Sequence, residues 1–194
     1  METISRPALI LWVALFFGGC GYSVIPPPAP ADPAPVYLLD HGRHASLVLP
    51  ADGGMVRYAY GDWAWYVLRH TGITQGSRAL LRPSPAGLGR KKLPAVPTPA
   101  SVRRYVRVPI ENLVALSAEA DKVDRLRGNL ENIFTEAEAA PRYNPAFDLE
   151  FVRHPEPYSL NHNSNTVVAQ WLRDLGAEIS GDGPLSRWRV ASEP

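Results

Sequence analysis

The sequence predicts an α+β domain, a small antiparallel sheet packed against helices, and three observations carry that expectation. "VYLLDHGRHASLVLP" (36–50) and "MVRYAYGDW" (55–63) are strand-like and alternating, and Pro50 with "ADGG" (51–54) turns one into the other. Apolar residues recur at helical spacing in "LSAEADKVDRLRGNLENIF" (116–134), and again from Asn165 to Leu175. Strands and helices in mixed order with hairpin links point to α+β and away from a doubly wound sheet.

The elements follow in order. Within 41–50, His44, Ser46 and Val48 share one face of a strand, while Ala45, Leu47 and Leu49 take the other. "AWYVLRHTG" (64–72) reads as a short helix ending at Gly72. "RPSPAGLGRKKLPAVPTPA" (82–100) reads as a long surface loop, and "SVRRYVRVP" (101–109) as a third strand closed by Pro109. In the first long helix Ser117 is a candidate cap, and Val123, Leu126, Leu130 and Ile133 form the buried stripe. The segment 141–160 is aromatic and punctuated by proline, hence irregular or a short strand. The last helix buries Val167, Val168, Trp171, Leu172 and Leu175, and Gly176 stops it.

A chain of 194 residues suits one domain plus appendages. A formal charge of +1 argues against nucleic acid as a partner. The charge is nevertheless segregated. No acidic residue falls between Asp62 and Glu111, an interval holding Arg90, Lys91, Lys92, Arg103, Arg104 and Arg107, while 111–156 is mostly acidic. Such blocks read as solvated surface, and a basic face held near a bilayer would also attract anionic head groups.

The N-terminus opens with Arg6 and the apolar run "ALILWVALFF" (8–17), ended by "FGGC". Ten residues are too few to span a bilayer, which takes roughly 20, and suit the core of a secretory signal. Gly18 and Gly19 before Cys20 resemble a bacterial lipobox. That resemblance implies lipidation at Cys20, a membrane partner through the N-terminal lipid, and a place in the bacterial cell envelope. Gly21 resembles the outer-membrane sorting pattern, with the domain facing the periplasm. The expected organisation is a signal peptide (1–19), a lipidated cysteine with a proline-rich spacer (20–35), and one globular domain (36–190). "PPPAPADPAP" (26–35) holds six prolines, which stiffen a spacer reaching about 30 Å.

Cys20 is the single cysteine, so the mature domain has no internal disulfide and no thiol nucleophile. Nucleophilic chemistry would then need a Ser or Thr beside a base, and histidine is the base with a pKa near neutrality. His41 and His44 stand in the first hairpin, His162 lies two residues before Ser164, and His70 and His154 look like surface residues. "NHNSNTVVAQWL" (161–172) stacks polar residues at the entry to the last helix. They suit helix capping, and they equally suit a turn that holds Ser164 near the N–H groups of the helix. No metal-binding spacing, no G-x-S-x-G elbow and no glycine-rich phosphate loop is present, so no metal or cofactor is expected.

"HGRHASLVLP" (41–50), "YAYGDWAWY" (58–66) and "NSNTVVAQWLRDLG" (163–176), in that order, resemble an uncharacterised bacterial family first noted near urease gene clusters. That family is similar to the circularly permuted papain-like (NlpC-type) superfamily, whose relatives include cell-wall amidases and acyltransferases. The resemblance spans Val36 to Ala177. It implies a permuted papain-like fold in which His44 is the base and Ser164 the nucleophile, with Asp62 or Tyr60 orienting the imidazole; Gly61 and Tyr66 match positions of structural role. Serine stands where the commoner pattern has cysteine, and a hydroxyl needs a well-placed base to react. Two readings follow. One is a serine-dependent amide or ester hydrolase or acyltransferase of the envelope. The alternative is a catalytically inactive relative that binds an envelope lipid or peptidoglycan fragment.

Overall fold

The hairpin expected between 36 and 63 forms the middle of a seven-stranded sheet. In the computed structural model, which describes residues 21–68, 82–181 and 187–191, β2 (Pro33–Asp40), β3 (Ala45–Ala51) and β4 (Gly54–Asp62) run antiparallel, with Leu47 opposite Tyr58. β5 (Ser84–Leu93), β6 (Asn112–Glu119), β7 (Arg142–Asn144) and β8 (Leu149–Tyr158) complete an antiparallel sheet of order β6-β2-β3-β4-β5-β8-β7. Four helices accompany it among the described residues: α1 (Trp63–Tyr66), α2 (Pro99–Tyr105), α3 (Ala120–Thr135) and α4 (Ser164–Asp174). The architecture is α+β, with a sheet larger than the small one expected. Cys20 and His70 lie outside the described residues.

Both faces of the sheet are covered, so β2, β3 and β4 are buried almost without interruption. On one face α3 and α4 bury Val123, Leu126, Leu130, Val168 and Leu172 against Leu38, Leu47, Leu49, Val56, Tyr58 and Leu88. On the other, α2 and its exit cover Tyr37, Val48, Met55 and Leu93, while Trp63, Tyr66, Leu149 and Phe151 cover Ala59.

Several segments form differently from the expectation. The stretch 84–93 is a strand inside the sheet, because Gly87 and Gly89 leave space there; a Cβ at Gly89 would lie 2.6 Å from Phe151 Cε1. Its basic residues meet the acidic block. Arg90 Nη1 lies 2.5 Å from Glu131 Oε2, and Lys91 Nζ lies 2.9 Å from Asp148 Oδ1. The stretch 99–105 is a helix, because Thr98 Oγ1 accepts from Ser101 N–H and Pro99 takes the first helical turn, where its missing N–H is harmless. The segment 141–160 makes a hairpin with a ten-residue second strand, and Ser117 lies in β6, with α3 starting after Glu119.

Residues 21–35, read as part of the spacer, include a strand. β1 (Tyr22–Ile25) pairs with β9 (Glu178–Ser180) and, in parallel, with β10 (Trp188–Val190), forming a three-stranded sheet. Tyr22 stacks on Trp188 at 4.4 Å, and both are buried. β2 then begins at Pro33, inside the proline-rich run.

Candidate active site

Asn163 is the N-cap of α4. Its Oδ1 accepts from the N–H groups of Asn165 (2.9 Å) and Thr166 (3.2 Å), and Thr166 Oγ1 accepts from Asn163 N–H at 2.8 Å. This capping box is complete without Ser164. The serine is the first helical residue, buried, and its hydroxyl makes a different contact: Oγ lies 3.3 Å from His44 Nδ1. That is the long edge of a hydrogen bond, of the kind seen at sites without ligand.

His44 immediately precedes β3, where the expectation placed it inside the strand. Burial, with Arg43 nearby, lowers its pKa to about 4, so the ring is neutral at pH 7 and Nδ1 can accept the serine proton. The Tyr66 ring packs edge-on against the imidazole, with centroids 5.3 Å apart. Tyr66 reaches that place because position 61 is glycine; a Cβ there would lie 2.2 Å from Tyr66 Cε2. The Gly61–Tyr66 pairing of "YGDWAWY" therefore supports the histidine by packing.

A second set of groups lies beside His44. Arg57, 3% exposed, donates from Nε to Ser46 Oγ (3.0 Å), from Nη1 to the Phe147 carbonyl (3.1 Å), and from Nη2 to His41 Nε2 (3.2 Å). His41 Nδ1 donates to the Pro109 carbonyl at 2.6 Å, which leaves Nε2 as the acceptor for Arg57 and for the Ser46 hydroxyl at 2.9 Å. The ring is accordingly neutral, with its pKa lowered to about 4 by burial and then by the guanidinium. Burial also lowers Arg57 to about 10, which still leaves it charged at neutral pH. His41, His44 and Arg57 line a cavity of about 190 Å³ whose remaining walls are mostly apolar, including Ala59, Tyr66, Val108 and Phe147.

The structure thus brings His44 and Ser164 together across a sequence separation of 120 residues. It places Asp62 and Tyr60 elsewhere. Asp62 is the N-cap of α1, accepting from Trp65 N–H at 2.8 Å and from the Ser84 hydroxyl at 2.5 Å. Tyr60 points to the helix-covered face, where its hydroxyl donates to the Glu156 carbonyl at 3.2 Å and its ring meets His154 and His162 edge-on. Alternation in β4 explains the separation: Arg57 and Ala59 face the cavity, so Tyr58 and Tyr60 face away from it. His162 Nε2 lies 3.1 Å from Glu156 Oε2. Among the described residues no group of three or more His, Cys, Asp or Glu is placed to hold a metal ion.

Arg57 belongs to no sequence motif, yet a signal existed. A single cation in the continuous apolar run of a strand covered on both faces has to be buried. No protein-family model, curated protein or solved structure matches the chain.

Proposed function

We propose that the protein is a lipid-anchored component of the bacterial envelope with a permuted papain-like domain, in which Ser164 and His44 carry out hydrolysis or transfer of an amide- or ester-linked acyl group. The observation that carries this reading is the 3.3 Å contact between a half-buried, neutral imidazole and a hydroxyl that the helix cap does not use. Ser164 Oγ attacks the carbonyl carbon as its proton passes to His44 Nδ1. When the tetrahedral centre collapses, the bond to the leaving amine or alcohol breaks and that group takes the proton from His44. Water or an acceptor alcohol then releases the acyl group from serine by the reverse proton path. Asn165 and Thr166 N–H are committed to Asn163 Oδ1, so the Ser164 N–H, which has no acceptor among the described residues, is the helix donor left for the developing oxyanion.

One observation favours the alternative, an inactive relative that binds an envelope ligand. An imidazole held near pKa 4 is a weaker base than one near neutrality. The deciding experiment is labelling with a fluorophosphonate serine probe, read by mass spectrometry of the modified peptide. The catalytic reading expects adduct on Ser164, none in Ser164→Ala, and a rate about a hundredfold lower in His44→Ala. Absence of adduct in the folded wild-type protein sinks it in favour of binding alone.

A further inference from the structure

Arg57 carries a buried charge with no carboxylate within ion-pair distance among the described residues. Asp148, whose charge acts on Arg57 from beyond contact, is already held by Lys91 at 2.9 Å and by the Tyr143 hydroxyl at 2.7 Å. A buried cation without a counter-charge is strongly unfavourable, so the site invites an anion from outside. The guanidinium has five N–H donors, and three are used, by Ser46, Phe147 and His41. One donor remains on each terminal nitrogen, which is the number a carboxylate takes in a bidentate pair.

We infer that the cavity lined by Arg57, His41 and His44 binds the C-terminal carboxylate of a short peptide whose last side chain is small and apolar. Volume and charge select this ligand. About 190 Å³ beside the guanidinium has room for one small amino-acid residue. The walls at Ala59, Val108, Phe147 and Leu149 suit a small alkyl group. Both histidines are neutral, so Arg57 supplies a single positive charge, matched by a carboxylate and exceeded by the near-double charge of a phosphate monoester. The inference names the substrate class for the Ser164 site and rests on that reading only for turnover; binding stands apart from it.

The test is calorimetric titration of the full chain with N-acetyl-alanyl-alanine, in either configuration at the last residue, its C-terminal amide, and inorganic phosphate. The acid should bind about tenfold or more tightly than the amide or phosphate, and Arg57→Met should weaken the acid by about tenfold or more. No binding of the acid by the folded wild-type protein, equal affinity for acid and amide, or tighter binding of phosphate overturns the inference. So does full affinity in a folded Arg57→Met; if that variant fails to fold, the comparison of acid with amide decides. Acid binding without fluorophosphonate labelling would remove the catalytic reading and leave this one standing.

Discussion

On the face of β4 that meets α3 and α4, Val56, Tyr58 and Tyr60 are buried among Leu47, Leu49, Val168 and Leu172, and the phenol hydroxyls reach partners at Glu131 and the Glu156 carbonyl. On the other face of the same strand, Arg57 and Ala59 border a cavity with His41 and His44, and these three potential cations share the cavity wall with no carboxylate lining it. The first face is filled by apolar volume and its tyrosine hydroxyls are satisfied. The second keeps open space beside a buried charge, an arrangement that subtracts from stability. Local departures of this kind concentrate where a fold holds a ligand. The difference teaches that alternation along one strand can assign stability to one surface and chemistry to the other.

Truncation tests that division with the largest effect. Leu47→Ala on the helix-covered face should cost about 2 to 5 kcal/mol, because the side chain is fully buried and neighbours from several strands cannot close the gap. Arg57→Met on the cavity face, although nearly as buried, should cost clearly less, since removing the uncompensated charge offsets much of the loss of its hydrogen bonds to Ser46, Phe147 and His41. Urea denaturation of both variants reads the contrast. A loss in Arg57→Met as large as that in Leu47→Ala would mean that the guanidinium is a structural latch on the Phe147 turn.

Acidification should act on the cavity face through two histidines, with His154, lowered by burial beside Tyr60 on the opposite face, adding to the loss. His41 and His44 have folded pKa values of about 4, against about 6.5 when unfolded. Between those values the unfolded chain binds more protons than the folded one, so stability is complete above about pH 6.5 and falls as pH drops towards 4. Each ring accounts for about 2 kcal/mol of the loss at about pH 5 and about 3 kcal/mol once pH passes 4. His41→Gln and His44→Gln should each flatten the urea midpoint over that window. A midpoint that does not move between about pH 7 and pH 5 would show that neither ring is held neutral.

The legible parts of the molecule are those governed by local rules. Alternation and a proline–glycine turn announce β3 and β4, and apolar spacing with Gly176 announces α4. The chain order of His44 and Ser164 suggested their meeting only through resemblance; nothing in spacing forces residues 120 apart into contact. β5 was illegible because its glycines and basic residues mimic a loop, and their reasons lie on other segments: Phe151 over Gly89, Glu131 beside Arg90. α2 hid for the opposite reason, since "SVRRYVRV" has strand-forming residues and the deciding signal is the Thr98 cap with Pro99 ahead of it. β1 owes its existence to residues more than 150 positions later, which no local reading reaches.

The smallest expected effect is at the junction between the two roles, Asn163. Its Oδ1 satisfies two first-turn amides, so Asn163→Ala should destabilise by about 1 kcal/mol, as lost caps do. For a domain of this size that is roughly 2 to 4 °C in the melting temperature. The consequence for chemistry should exceed the consequence for stability. Ser164 follows the cap directly, and a frayed first turn lets its hydroxyl leave the His44 ring. Fluorophosphonate labelling of Asn163→Ala should therefore slow by more than the fraction unfolded accounts for, while Asn163→Asp, which keeps the acceptor, should restore it. Equal labelling in Asn163→Ala and the wild type would mean that β3 and the Tyr66 packing hold the pair by themselves, with the cap serving the helix alone.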